Sequence, residues 1–360
     1  MEWIYAFTPP IPPHEVEKIA ELLRDRDVFV TGFDPVHRDP YSVSTYIEKQ
    51  EIYDEPVSLF VDRNVVSRLV SMMDGAEAAP EHRVAAAIMA FAQVCQLLIE
   101  PSIAVHEYAS TAGERKARRE LRRFYQADNV DTKMWTDIAL GRTSKCPRIA
   151  RSSRSIAHRL DRTLYRWQRN YAAVLKIADL ELRGGPGHRR MEAFMDWMFH
   201  DFLLAGAATI LAAQYFAPGA PKKGLLKHLR SPDREQAIDG IKNAAWDLML
   251  LSDWLQRVQE RERIDSWRPH PVLCTLDKGV VRLARSIVLF EHVARSQEEL
   301  IASTFEHLWG SEAGSRLAKR YVGYVQKAQD PDRHFNRNPG TSFVPEMIEA
   351  GEANVRGHVF

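Results

Sequence analysis

The sequence predicts an α/β protein: a Rossmann-like open sheet of mostly parallel strands flanked by helices, with a large all-helical insertion. Two short runs carry the sheet. Val57-Ser-Leu-Phe-Val61 and Pro271-Val-Leu-Cys-Thr-Leu276 are apolar and uninterrupted, as strands buried on both faces are. Each ends in an aspartate, Asp62 or Asp277, and each leads into a helical pattern, which is the order an open parallel sheet produces. Between the two runs, residues 113–235 carry long helical patterns broken by loops.

The remaining elements follow in chain order. Residues 9–13, Pro-Pro-Ile-Pro-Pro, close an extended start, and His14 to Arg26 continue as an amphipathic helix with Ile19, Leu22 and Leu23 on one face. Residues 27–56, rich in Asp, Pro and Tyr, read as a short strand and loop, so 1–56 form an N-terminal helix and loop segment. After the first strand a helix is expected from Val65 to Met73, closed by Asp74-Gly75. His82 to Ile99 is apolar almost all round, the signature of a buried helix. Glu107 falls at the start of a further helix or on its first turns. Within the insertion, helices are expected at 114–126, 154–183 and 188–216, with another at 233–262. Beyond the second strand come helices at 280–289, 296–309 and 312–328, and residues 330–360 read as an irregular tail. The sheet domain therefore comprises 57–112 and 236–295, the insertion 113–235, and the C-terminal helices and tail 296–360.

A chain of 360 residues can bury a substantial core. Its 49 basic and 48 acidic residues nearly cancel, so any nucleic-acid footprint must be local rather than global. Cys95, Cys146 and Cys274 are isolated and show no CxxC spacing, which argues against a disulfide framework or a structural zinc and for a reducing compartment. The first residues lack the basic and apolar regions of a signal peptide, so a cytoplasmic protein is expected. The most apolar run, Phe202 to Phe216, falls short of the roughly 20 residues that span a bilayer and reads as a core helix.

Asp62 and Asp277 are expected to meet at one edge, because ligands bind beyond the carboxyl ends of such strands. Alone, either one is equally a helix N-cap. Asn64 lies two residues beyond Asp62, within reach of a carboxylate or the turn itself.

Four pieces occur in order: Phe60-Val-Asp-Arg-Asn64, Val105-His-Glu-Tyr108, Ala245-Trp-Asp-Leu248 and Cys274-Thr-Leu-Asp-Lys278. Together they resemble the PIN-domain nuclease family, whose chains open on an apolar strand ending in Asp-x-Asn, pass through two helical acidic residues and close on an apolar strand ending in Asp. The match covers 57–110 and 236–290, with a far longer spacing between Glu107 and Asp247 than compact members have. The resemblance implies that Asp62, Glu107, Asp247 and Asp277 gather around Mg²⁺ or Mn²⁺ to hydrolyse phosphodiester bonds, in RNA more than in DNA. Hard divalent cations prefer oxygen ligands, and clustered carboxylates need such a cation to neutralise them. Asp253 is the substitute for Asp247 if the helix register differs. Arg63 and Lys278, beside the strand-end aspartates, are candidate phosphate contacts, with salt-bridge or solvated roles as the plainer reading. The resemblance also implies a toxin-like or RNA-processing role under an inhibitory or regulatory protein partner. A lid, a homodimer surface and a substrate clamp suit the insertion equally.

Three basic segments stand apart from this set. Arg115 to Arg123 reads as a solvated helix face or one wall of a nucleic-acid groove. Arg148 to Arg169, interleaved with Tyr165 and Trp167, reads as an amphipathic helix packed through Leu160, Leu164 and Trp167, or as a stacking surface for single strands. Lys222, Lys223, Lys227, His228 and Arg230 form a loop-borne cluster without an assigned role. Glu192, Asp196 and His200 share a helical face, but no second Glu-x-x-His segment completes a metal site. Among the alternatives, a phosphatase of the haloacid-dehalogenase type needs an Asp where Asn64 stands, and a dinucleotide-binding domain needs a Gly-x-Gly-x-x-Gly that follows neither strand. The remaining alternative is a PIN-like scaffold whose acids are not assembled and which binds nucleic acid or protein without catalysis.

Overall fold

The computed structural model describes residues 9–32, 39–147, 159–220, 222, 224–263, 268–288, 297–328 and 340–358. The N-terminal stretch forms α1 (Pro13–Arg26), β1 (Phe29–Thr31), α2 (Val43–Ile47) running into a π-turn at Glu48–Ile52, β2 (Val57–Val61), α3 (Arg63–Met73), α4 (Pro80–Val94), β3 (Leu98–Glu100), α5 (Ser102–Ala112), α6 (Glu114–Asp128) and α7 (Thr132–Ala139). There follow α8 (Tyr165–Arg183), α9 (Gly187–His200), α10 (Gly206–Phe216), α11 (Arg234–Arg263), β4 (His270–Cys274), α12 (Lys278–Val288), α13 (Gln297–Trp309), α14 (Ser311–Ala328) and α15 (Phe343–Gly357).

The chain divides into two compact units, one of residues 1–162 and 253–281, the other of 163–252 and 282–360. The first holds a four-stranded open sheet in the order β1-β4-β2-β3. β2 pairs in parallel with both β3 and β4, and β1 pairs antiparallel with β4, so the sheet is mixed and small. The two strands expected from sequence are the two central ones, each buried at all five positions. Their register sets Val61 opposite Cys274, which brings both carboxyl ends to one edge.

The core of this unit forms around α4, whose residues Val84 to Ala92 are all buried. Phe91 packs edge-on against Tyr46 and tilts against Phe29, with ring centroids 5.7 Å away in both cases. Burying a Phe or Ile side chain stabilises by about 1.5–3 kcal/mol, so the unbroken apolar face of α4 accounts for much of the unit's stability. α6 and α7 join the same core through Phe124, Ala127, Trp135 and Ile138. For that reason the unit boundary falls near 162 rather than at 113, and the insertion expected from 113 to 235 is not a separate body.

The second unit is helical. α8 packs against α9, α10 and α15, and α13 and α14 form an antiparallel hairpin. Phe202 and Val344 pack in one cluster with Ala172. The Tyr171 hydroxyl donates to Glu352 Oε1 at 2.6 Å, and the Arg234 guanidinium donates to the Val355 carbonyl, which ties α15 to the helices it covers.

Several expected boundaries shift. The 82–99 helix ends at Val94, because Gln96 takes a left-handed φ of 55° and the chain then enters β3; an unbroken apolar run does not distinguish the two conformations. The 188–216 helix is two helices separated at 201–205. The 154–183 helix starts at Tyr165, and 148–158 lie outside the described residues. Residues 43–52 are helical rather than loop. The tail read as irregular contains α15, whose Phe343, Val344, Met347 and Ile348 pack against Ala172 and Phe202. Among the described residues no helix is long and apolar enough to cross a membrane.

Candidate functional site

Local chemistry fixes Asp62 first. Its N–H donates to the Cys274 carbonyl at 2.9 Å, prolonging the β2–β4 ladder by one rung, after which the chain turns into α3. Asp62 is the N-cap of that helix, its Oδ1 accepting from the Arg63 N–H at 2.6 Å. Asp277 stands in the same relation to α12, its Oδ1 accepting from the Gly279 N–H at 2.7 Å. Two helix N-termini, each carrying partial positive charge, therefore begin at the carboxyl edge of the two central strands.

Thr275 joins the two aspartates. Buried completely, it donates its hydroxyl to Asp62 Oδ2 at 2.6 Å and accepts from the Asp277 N–H at 3.0 Å. Asn64 closes the group: its amide donates to Asp62 Oδ2 at 2.5 Å and to Thr275 Oγ1 at 3.3 Å, while its carbonyl accepts from the Leu276 N–H at 3.2 Å. Asp62 is buried, whereas Asn64 and Asp277 are half-buried and give the cluster a solvent-facing side. Burial, with the charge of Asp62 adding to it, pushes the Cys274 thiol well above its ordinary range. Thr275 is absent from the sequence candidates, although its place two residues before Asp277 mirrors Asn64 two residues after Asp62.

The other candidates are distributed as follows. Glu107 lies on α5 in the same unit, half-buried, and the ring of its neighbour Tyr108 sits 4.4 Å from the Arg63 guanidinium. Arg63 itself turns to Glu120, its Nη2 donating to Oε2 at 3.0 Å and its Nη1 standing 2.9 Å from Oε1. Burial raises the Glu120 pKa, against the opposing pull of Arg63. Lys278 donates to the Arg26 carbonyl at the end of α1. Asp247 belongs to the second unit and accepts from the Asn243 amide at 3.3 Å. Asp253 belongs to the first. It is paired with Arg257 at 3.1 Å, and Arg257 lies over the Phe60 ring at 4.4 Å, while one turn on Arg261 pairs with Glu55 at 2.8 Å. Residues 253–261 of α11 thus run antiparallel to β2, which sets Asp253 one helical turn from Arg257 in the direction of the carboxyl edge. Among the described residues no group of three His, Cys, Asp or Glu side chains converges closely enough to hold a metal ion.

The donor set nevertheless suits a hard cation. Asp62, Asn64, Thr275 and Asp277 offer oxygen atoms, and Mg²⁺ is usually held by one or two carboxylates with water and substrate phosphates completing its shell. α6, tied to this site through Glu120, exposes Arg115, Lys116, Arg119 and Arg122 on its outer face. Of the remaining sequence candidates, Asp196 is occupied by Arg320 and the Tyr324 hydroxyl, at 2.7 and 2.5 Å, and Glu192 stands 3.7 Å from Arg316.

No family model, curated protein or solved structure matches this chain.

Proposed function

We propose that the chain is a PIN-like, metal-dependent nuclease hydrolysing phosphodiester bonds, with RNA as the preferred substrate. The observation that carries this reading is the Thr275 hydroxyl, which bonds both the Asp62 carboxylate and the Asp277 backbone N–H at the carboxyl edge of two adjacent parallel strands. Asp62 and Asp277 would hold the Mg²⁺ or Mn²⁺, with Asn64 orienting Asp62. The ion, when bound, polarises the scissile phosphate and lowers the pKa of an attacking water. Thr275 and Asn64 fix the Asp62 carboxylate in one orientation, so that ordering it costs nothing during turnover. The starts of α3 and α12 favour the negative charge that gathers there. Glu107 and Asp253 are the acids of the same unit that would complete the site through water, and the exposed cations of α6 would neutralise the phosphates of a bound strand.

A specific observation favours a second reading, that of a non-catalytic PIN-like scaffold binding nucleic acid or protein. Both Asp62 oxygens accept hydrogen bonds from protein donors, so the carboxylate is already satisfied without a cation. The deciding experiment is cleavage of labelled single-stranded RNA and DNA by the purified chain with Mg²⁺ or Mn²⁺, with EDTA and the folded Asp62→Asn/Asp277→Asn variant as controls. Metal-dependent cutting that the variant lacks supports the nuclease. Binding without cutting under either metal supports the scaffold.

A further inference from the structure

The helical unit contains a cleft of about 370 Å³ between the start of α9, the end of α10 and the α13–α14 hairpin. His188, Arg190, Lys222 and Arg316 line it together with Phe216 and Trp309. Volume and composition are those of a small-molecule site, a concave apolar wall with a few convergent polar groups.

Its charge is unbalanced. Behind the lining, the buried Glu181 accepts both from Arg190 and, at 2.9 Å to each oxygen, from Lys222, and Arg230 stands 3.7 Å away. Three cations therefore converge on one carboxylate, and two positive charges are left over. Arg316 also lines the cleft and is paired with Glu192 at 3.7 Å. The Arg190 Nε is buried and finds no hydrogen-bond acceptor among the described residues. A buried donor left in this state costs about 1–3 kcal/mol, which an acceptor entering the cleft would recover.

The cleft is also preorganised. The Arg190 guanidinium rests 5.0 Å from the Phe216 ring, and the Trp309 indole is pinned by its N–H to the Ala213 carbonyl at 3.1 Å. α9 starts at Gly187 because nothing larger fits: a Cβ there would lie 2.2 Å from the Phe216 carbonyl oxygen. That close approach brings the positive end of a 14-residue helix to the cleft wall.

We propose that this cleft binds a phosphate group, free or carried by a small phosphorylated molecule the size of a mononucleotide. Arg190, Lys222 and Arg316 neutralise the phosphate, and Phe216 and Trp309 face the body that carries it. The site belongs to the helical unit alone and does not depend on the nuclease reading.

The test is calorimetric titration of the full chain with inorganic phosphate, adenosine 5′-monophosphate and adenosine, repeated on Lys222→Gln/Arg316→Gln. Arg190 and Arg230 still face Glu181 in this variant, so the chain is expected to stay folded, which its thermal unfolding checks before titration. Phosphate or the monophosphate should bind, the tighter of the two naming the source, and the variant should weaken that binding about tenfold or more, as loss of charge-assisted hydrogen bonds does. Adenosine should not bind. The proposal fails if neither anion binds, if adenosine binds as well as its monophosphate, or if the folded variant binds like the wild type.

Discussion

Thr275 donates its hydroxyl to Asp62 Oδ2 at 2.6 Å, and the same oxygen of Thr275 receives the Asp277 N–H. The hydroxyl thus links the Asp62 carboxylate to the Asp277 backbone. Thr275→Val keeps the shape of the side chain and removes the donor, leaving a buried carboxylate short of one hydrogen bond. The expected cost is about 1–3 kcal/mol in chemical denaturation. Thr275→Ser, which keeps the hydroxyl, should recover most of it, and on the proposed nuclease reading cleavage should follow the same order.

Arg63 tests whether a cation beside the site is structural. Arg63→Met strands the buried Glu120 and should destabilise by roughly 3–5 kcal/mol, while Arg63→Met/Glu120→Leu should regain much of that loss. Equilibrium unfolding of the two variants measures the difference. If the double variant is stable but binds RNA much more weakly, Arg63 contacts phosphate as well.

His270 sets a pH dependence at the opposite end of the sheet. Its Nε2 donates to Glu55 at 2.7 Å, and burial holds its pKa at about 4, with Glu55 opposing and Lys49 and Arg261 reinforcing the shift. An unfolded histidine titrates near 6.5, so as the pH falls from about 6.5 to 4 the unfolded chain takes up a proton that the folded chain refuses. Stability present above this window should be lost through it, by roughly 3 kcal/mol. Urea denaturation from neutrality to about pH 4 should show the slope, and His270→Gln should flatten it.

Asp253 and Asp247 make opposite claims on one role. On the proposed reading, Asp253→Asn should lower metal-dependent cleavage by about tenfold or more, and Asp247→Asn should lower it less, because only Asp253 shares a unit with Asp62 and Asp277. Turnover of a single-stranded RNA by the two folded variants decides the assignment. A larger loss for Asp247 would restore it as the helix-borne acid.

The sequence made β2 and β4 legible because a strand buried on both faces must be apolar throughout, and it placed Asp62 and Asp277 because such strands end in turns. The three-residue strands β1 and β3 carry too little pattern to show any period. α15 is not legible because most of its large apolar residues lie at its start, where they meet Ala172 and Phe202 from distant parts of the chain, and only Val355 is buried near its end. The division between Asp247 and Asp253 was invisible for a related reason. Both lie in one continuous helix, α11, and periodicity within a helix carries no mark of where one packed body gives way to another. Thr275 was hidden by its ordinariness: a threonine at a strand end takes on its role only from what lies opposite it.

The pairing of β2 with β4 also sets a schedule for the nascent chain. Asp62 and Thr275 are 213 positions apart, and at roughly 5–20 residues per second a ribosome needs about 10–40 s to deliver the second after the first. Throughout that interval β2 lacks the central neighbour that covers one of its edges, and Asp62 lacks the hydroxyl that orients it. The candidate site can therefore assemble only after residues 163–252 of the helical unit have been made, and a chain cut short before β4 contains Asp62 without the partner that makes it part of a site.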